Sequence, residues 1–247
     1  MMMVLQSDRA SLYTRMDGLD AREARMFGRA ICQRCAGTPL QHLTGEQSFR
    51  RISLEVRPGV FIPRPETEVL VEAAMDRLGE AEDPVVVDVG TGTGAIALAI
   101  KDERPDARVF ATDTSSEAIE LASNNAARLG LDVTVLEGHL LEPVPAELRG
   151  WIDLVVSNPP YVTAEEYADL PPEVRADPES ALAGGLGVYE SLAEDASRWL
   201  RDGGVLAVEI GASQASDVAK ALGVGFGDVE VRRDLAGRDR IVVARRP

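Results

Sequence analysis

Near the middle of the chain, Asn158-Pro159-Pro160-Tyr161 combines a carboxamide, two prolines and an aromatic ring. The prolines fix φ, forbid helix and hold the neighbouring carbonyls in one orientation, while Asn158 offers a carbonyl acceptor and Tyr161 a flat face. This set suits a planar NH₂ group. Such a nitrogen, in a carboxamide or an adenine, is a poor nucleophile because its lone pair is delocalised into the π system. The Asn158 side-chain oxygen and the Pro159 backbone oxygen can each take one N–H, and Tyr161 can stack on the group, which turns the lone pair toward an electrophile. A loop merely punctuated by prolines is the plain alternative.

A second constellation lies upstream, in Asp88-Val89-Gly90-Thr91-Gly92-Thr93-Gly94, between an apolar run and a helical one. Glycines let the backbone turn sharply and approach a ligand without a Cβ in the way, and the helix start supplies unpaired N–H donors. Dinucleotide-binding proteins use Gly-x-Gly-x-x-Gly at such a turn; here the third position is Ala95, which leaves nicotinamide cofactors open without favouring them. Asp113 follows at the end of the next apolar run, at the spacing where a carboxylate binds the two hydroxyls of a ribose.

These groups need a scaffold. Apolar runs at Val85–Val89, Arg108–Thr112, Val133–Leu136, Ile152–Ser157, Val205–Ile210, Val229–Arg232 and Arg240–Ala244 alternate with helical patterns near 94–103, 115–129, 188–201 and 213–222. Alternation of this kind predicts an α/β fold with a seven-stranded, mostly parallel sheet covered on both faces. Only Asp234–Asp239 separates the last two runs, too short for a crossover helix, so the sheet must end in an antiparallel hairpin. Ahead of this unit, residues 1–47 form a short helical segment, with Asp20 as N-cap of a helix reaching about Ala36; Met1 to Asp17 shows no clear period. Residues 48–64 alternate around Pro58-Gly59 and predict a β-hairpin connector, and Pro65 opens the helix that begins the main domain, residues 65–247.

With 247 residues, 45% apolar, the chain is long enough for a buried core. Neither a membrane span nor a signal-peptide core is present in the sequence, and the two cysteines are too few for a disulfide framework, so the expected location is the cytoplasm. Cys32, Cys35 and His42 are scattered for a zinc set, and no metal is expected. The net charge of −15 disfavours nucleic acid as a stable partner. It is uneven: residues 1–64 carry ten arginines against six carboxylates, a net of +4, which leaves −19 on the remainder.

Taken together, these residues resemble the class I S-adenosylmethionine-dependent methyltransferases, with their Rossmann-like sheet, and within them the HemK/PrmC family of release-factor glutamine methyltransferases. Adenine methyltransferases share Asn-Pro-Pro-Tyr, but Phe61-Ile62-Pro63-Arg64-Pro65-Glu66-Thr67-Glu68, Pro172-Glu173-Val174-Arg175 with Ala181-Leu182-Ala183-Gly184-Gly185, and Ala236-Gly237-Arg238-Asp239-Arg240 look specific to this family. The resemblance runs from about Gly37 to the C-terminus. It implies that Gly90, Thr91, Gly92, Thr93 and Gly94 wrap the methionine part and sulfur of S-adenosylmethionine, that Asp113 holds the ribose, and that Phe61 closes over the cofactor. His139 and Leu140 stand where the family binds the adenine amine, usually with an acidic residue in place of His139. Asn158, also close to the cofactor, Pro159, Pro160 and Tyr161 hold the substrate amide, with Asn158, Pro159 and Tyr161 the catalytic set.

The implied reaction methylates the glutamine of a Gly-Gly-Gln loop in peptide-chain release factors during translation termination, with S-adenosylhomocysteine as product. Positioning dominates catalysis and no dedicated base is required. Arg64 and Glu66 either meet the substrate loop or pair with each other. Residues 1–47 are then a shortened substrate-recognition segment, and the positive charge of residues 1–64 suits an acidic protein partner. Three alternatives stay open: an adenine-amine methyltransferase on nucleic acid, a small-molecule methyltransferase of a specialised pathway, and a binding module without turnover.

Overall fold

The computed structural model describes residues 8–14, 17–171 and 173–247. Residues 1–7 and 15–16, within the aperiodic opening, and Pro172 of the Pro172–Arg175 match lie outside the description. Helices α1 (Arg9–Thr14), α2 (Ala21–Cys35) and α3 (Leu40–Thr44) come first. Asp20 caps α2 as its sequence predicts: its carboxylate accepts from the Arg22 and Glu23 N–H groups, and the Glu23 side chain accepts from the Asp20 N–H. Cys32 and Cys35 are exposed on that helix, and no metal-ligating cluster occurs among the described residues.

The connector differs from its expected form. Strands β1 (Glu46–Phe49) and β2 (Ile52–Glu55) pair antiparallel, and the chain reverses at Arg50-Arg51, not at Pro58-Gly59. Arg50 takes a left-handed φ of 49°, held because its N–H donates to Glu68 and its guanidinium to Glu103. Neither side chain is near in sequence, which is why the alternation alone misplaces the turn. Residues 56–64 instead run as an irregular strap into α4 (Pro65–Leu78).

The main domain follows the predicted alternation: β3 (Val85–Val89), α5 (Ala95–Glu103), β4 (Arg108–Asp113), α6 (Ser116–Leu129), β5 (Val133–Glu137), β6 (Ile152–Ser157), the short α7 (Ala164–Ala168) and α8 (Glu179–Leu182), α9 (Leu186–Trp199), β7 (Leu200–Glu209), α10 (Ala215–Gly223), β8 (Gly227–Arg233) and β9 (Asp239–Arg245). The seven strands lie in the order β5-β4-β3-β6-β7-β9-β8, parallel except for β9, which runs against both neighbours. β7 starts five residues before the predicted Val205, because Arg201 to Gly204 bulge out of register instead of forming a separate turn.

Both sheet faces are buried. Val86, Leu154, Val156 and Ala207 pack with Leu70, Ala74, Ile96 and Ile100 of α4 and α5, while Val87, Val155, Leu206 and Val208 pack with Leu192, Trp199, Val218 and Leu222 of α9 and α10. From β3 the chain continues outward through β4 and β5, then returns to β6 on the other side of β3. Such a reversal opens a crevice at the carboxyl ends of the strands, where ligands bind in open α/β sheets. Among the described residues no helix is long and apolar enough to cross a membrane.

Candidate functional site

The crevice is a cavity of about 340 Å³, within the size range of about 300–1,000 Å³ typical of small-molecule sites. Gly90, Thr91, Gly92, Thr93, Asp113, His139, Leu140, Phe61 and the whole Asn158–Tyr161 bend line it together. The two constellations thus face one space. Gly94 is the exception among the predicted site residues. It caps α5 with φ 84°, and a Cβ there would sit 2.9 Å from Leu98 Cδ1 and 3.3 Å from Ala122 Cβ, so its smallness serves the packing of α5 on α6.

The glycine turn is anchored from several sides. Thr112 O accepts from the Gly90 and Thr91 N–H groups at 2.9 and 3.0 Å, and Asp113 Oδ2 accepts from Gly92 N–H at 2.9 Å. Asp113 Oδ1 accepts from Ser115 N–H at 2.9 Å, which leaves further lone pairs of this carboxylate for a ligand. Fully buried Asn125, 32 residues away, accepts from Glu55 N–H and donates to the carbonyls of Glu55 and Thr93, clamping the β1–β2 hairpin to the turn. Behind the turn, Asp88 accepts from Thr91 Oγ1 at 2.6 Å and from Ala97 N–H at 3.1 Å; burial pushes its carboxyl up to about 7. At the rim, His139 is exposed, while the Leu140 carbonyl accepts from Thr112 Oγ1 and fixes the loop against β4.

Across the cavity, Asn158 Nδ2 donates to Thr67 Oγ1 at 3.2 Å, so its Oδ1 stays available to accept from a donor in the cavity. Among the described residues no backbone N–H donates to the Pro159 carbonyl. Thr67 Oγ1 donates to Glu209 Oε2 at 2.7 Å, and the Tyr161 hydroxyl donates to Glu209 Oε1 at 3.3 Å. Glu209 is 1% exposed, and burial raises its carboxyl to about 7; burial also pushes the Tyr161 phenol up. The bend is supported from outside by residues 181–185: Val162 N–H donates to Leu182 O at 2.8 Å and Gly184 N–H to Val162 O at 3.0 Å.

Arg64 pairs with buried Asp177 and not with Glu66, which corrects the pairing left open by the sequence. Asp177 also accepts from Ile62 N–H at 3.1 Å, and the Arg64 guanidinium lies 5.2 Å from the Phe61 ring centre, so the strap is pinned over the cavity mouth. Burial holds the Asp177 carboxyl above its usual range against the pull of Arg64. Sequence reasoning assigned no role to Thr67, Asn125, Asp177 or Glu209. One signal was present: Glu209 is the one charge inside the apolar run Val205–Ile210.

The chain matches the family model described as methyltransferase small domain over residues 52–174, and the PrmC N-terminal domain over residues 1–45. It is 45% identical over 232 residues to the release factor glutamine methyltransferase of Moorella thermoacetica, spanning 90% of this chain and 80% of the relative. The enzyme of the same name from Deinococcus radiodurans is 47% identical, spanning 93% and 81%. Among solved structures, a methyltransferase from Pyrococcus furiosus superposes with a TM-score of 0.58 at 18% identity, covering 90% of this chain and 98% of that one. The hMettl16 catalytic domain in complex with an RNA hairpin superposes at 0.63 with 15% identity, covering 84% and 78%. Both share the fold.

Proposed function

The chain belongs to the release factor glutamine methyltransferases, and from that premise we propose that it transfers a methyl group from S-adenosylmethionine to the side-chain amide nitrogen of a protein glutamine, the one in the Gly-Gly-Gln loop of peptide-chain release factors. The observation that carries this reading is the single cavity lined by both the glycine turn and the Asn158–Tyr161 bend.

The residues present suit this cofactor. Ala95 and Ile96, at the start of α5, give their N–H groups to no acceptor among the described residues, and both line the cavity beside the Asp113 carboxylate. In this reading Gly90, Thr91, Gly92 and Thr93 hold the methionine part, Asp113 the ribose, His139 and Leu140 the adenine edge, and Phe61 closes the mouth. Bound there, S-adenosylmethionine supplies a methyl group on a sulfonium, a strong electrophile. Opposite it, Asn158 Oδ1 and the Pro159 carbonyl each accept one N–H of the substrate amide, and Tyr161 and Pro160 support its flat face. Fixing the amide this way aims its lone pair, and the proton leaves once the nitrogen has bonded. Residues 1–47, of which 1–45 match the PrmC N-terminal domain, serve release-factor recognition, with 48–64 as connector and 65–247 as the transferase domain.

The test supplies labelled methyl donor with a purified release factor, with that factor after its loop glutamine is changed, and with unmethylated DNA. Label on the first alone supports the reading. Label on DNA overturns it in favour of an adenine-amine methyltransferase.

A further inference from the structure

We propose that Glu209, acting through Thr67, is a positioning residue that decides which end of the Asn158 carboxamide faces the substrate. The inference rests on the reading of Asn158 as the amide-holding group. Its ground is the direction of donation along a buried chain 142 residues apart in sequence at its closest link, Thr67 to Glu209. A threonine hydroxyl has one hydrogen to give. Thr67 gives it to Glu209 Oε2 at 2.7 Å, so toward Asn158 the same oxygen can only accept. Asn158 must then turn its NH₂ to Thr67 and its carbonyl oxygen into the cavity. That is the orientation a substrate NH₂ requires.

The other oxygen of Glu209 takes the Tyr161 hydroxyl, so one buried carboxylate orients both functional side chains of the bend. The surroundings make it suited to this. Glu209 ends β7, beneath the cavity, with Thr67 and Glu66 approaching from α4, Tyr161 from the bend, Tyr189 from α9 and Arg240 from β9. Arg240 favours the ionised form while burial and Glu66 oppose it. Two donors on an ionised carboxylate keep the chain of hydrogen bonds pointing one way. When Glu209 takes up a proton it becomes a donor itself. Thr67 then accepts from Glu209 and donates to Asn158, whose amide turns over and presents NH₂ to the substrate NH₂. Two donors then face each other and the grip is lost, so transfer falls as pH drops through the Glu209 pKa.

Three variants of the full chain test this: Thr67→Val, which keeps the shape and removes the hydroxyl, Thr67→Ser, which restores it, and Glu209→Gln, which removes the titration. Transfer to release factor is followed as kcat and KM against pH, methyl-donor affinity by calorimetry, and the Asn158 side-chain NH₂ signal by NMR. Above the Glu209 pKa, Thr67→Val should lower kcat about tenfold with donor affinity within about twofold, and Thr67→Ser should recover most of it. Glu209→Gln should flatten the acid limb of the pH profile. Wild-type kcat in Thr67→Val, or an unchanged acid limb in Glu209→Gln, overturns the proposal. Should the wild-type protein leave release factor unlabelled, the acceptor reading fails, and the NMR signal decides the inference alone. A pH titration of the Asn158 NH₂ that disappears in Glu209→Gln supports it, and one that persists, or is absent from wild type, overturns it.

Discussion

Gly184 is the position where the structure sets the sharpest demand on a side chain outside the cavity itself. A Cβ built there would lie 2.6 Å from the carbonyl carbon of Pro160 and closer still to its oxygen, with the Pro160 Cβ at 3.3 Å. The carbonyl carbon and oxygen are backbone atoms of the bend, which cannot rotate away as the end of a long side chain does. Ordinary contact begins at 3.4 Å, so Gly184→Ala requires the bend or the 181–185 segment to move by at least 0.8 Å, the difference between 3.4 and 2.6 Å. The prolines stiffen one partner, and the Val162–Leu182 and Gly184–Val162 hydrogen bonds tie it to the other. The displacement therefore reaches Asn158 and Pro159. A misplacement of about 1 Å costs an oriented reaction on the order of 10²-fold. Gly184→Ala should accordingly lower kcat for release-factor methylation by roughly that factor, while calorimetry finds methyl-donor binding nearly unchanged, because the glycine turn lies on other strands. Gly185→Ala is the control: no atom lies within 4 Å of its Cβ, and its φ of −162° is extended backbone open to any residue. Wild-type turnover in Gly184→Ala, or equal losses in both variants, would refute the reasoning.

Asn158→Ala should keep methyl-donor binding and lose most transfer; a collapse of donor binding in calorimetry would show its role to be misassigned. Asp113→Ala should weaken donor binding by about tenfold or more, since hydrogen bonds to a charged group contribute about 1.5–3 kcal/mol, and equal affinity would remove Asp113 from the site. The Asp88 carboxyl, raised by burial to about 7 from 3.8, binds its proton more tightly folded than unfolded. Its contribution to stability is full below the unfolded value and is lost as pH rises through about 7, by about 1 kcal/mol between pH ~6 and ~8. Asp88→Asn should remove about 3 °C of the pH-dependent fall in melting temperature, and an identical fall in both proteins would count against it. If the basic residues 1–64 steer an acidic partner, kcat/KM for release factor should drop as salt rises from about 50 to 300 mM, with kcat unchanged.

Much of this molecule was legible in the order of its residues, because the relevant signals are local. Apolar runs alternating with helical patterns fixed the strand count, and the six residues from Asp234 to Asp239 required the final reversal. The glycine turn and the Asn158 bend each follow a strand directly and Asp113 ends one, so the strands' carboxyl ends place them on one edge. What was not legible depends on partners far along the chain. Arg50 reverses the connector because Glu68 and Glu103 meet it, and Gly94 serves α6 rather than the cavity because Ala122 lies against it. Asn125, Asp177 and Glu209 reach the site from 32, 113 and 142 residues away, as polar side chains buried on elements whose patterns read as ordinary packing.

Strand register explains why so few residues are enough to bring donor and acceptor together. In the pairing of β3 with β6, Val89 stands opposite Ser157, and Ser157 Oγ donates to Val89 O at 2.7 Å. Gly90 and Asn158 are each the next residue, so the glycine turn and the amide-holding bend leave the sheet on adjacent strands, about 5 Å apart. A register slip of one residue would shift the bend by about 3.3 Å and exchange the inward and outward faces of β6. Val155 and Val156, both fully buried on opposite faces, would still find apolar surroundings after such a slip, so hydrophobic burial alone defends this register weakly. The polar contacts are less forgiving. Displacing Ser157 would strand its hydroxyl, and moving Asn158 would break its bond to Thr67, at a cost of about 1–3 kcal/mol for each buried group left unpaired. The hydrogen bonds that aim the acceptor therefore also hold the sheet in the one alignment where that aim meets the cofactor turn.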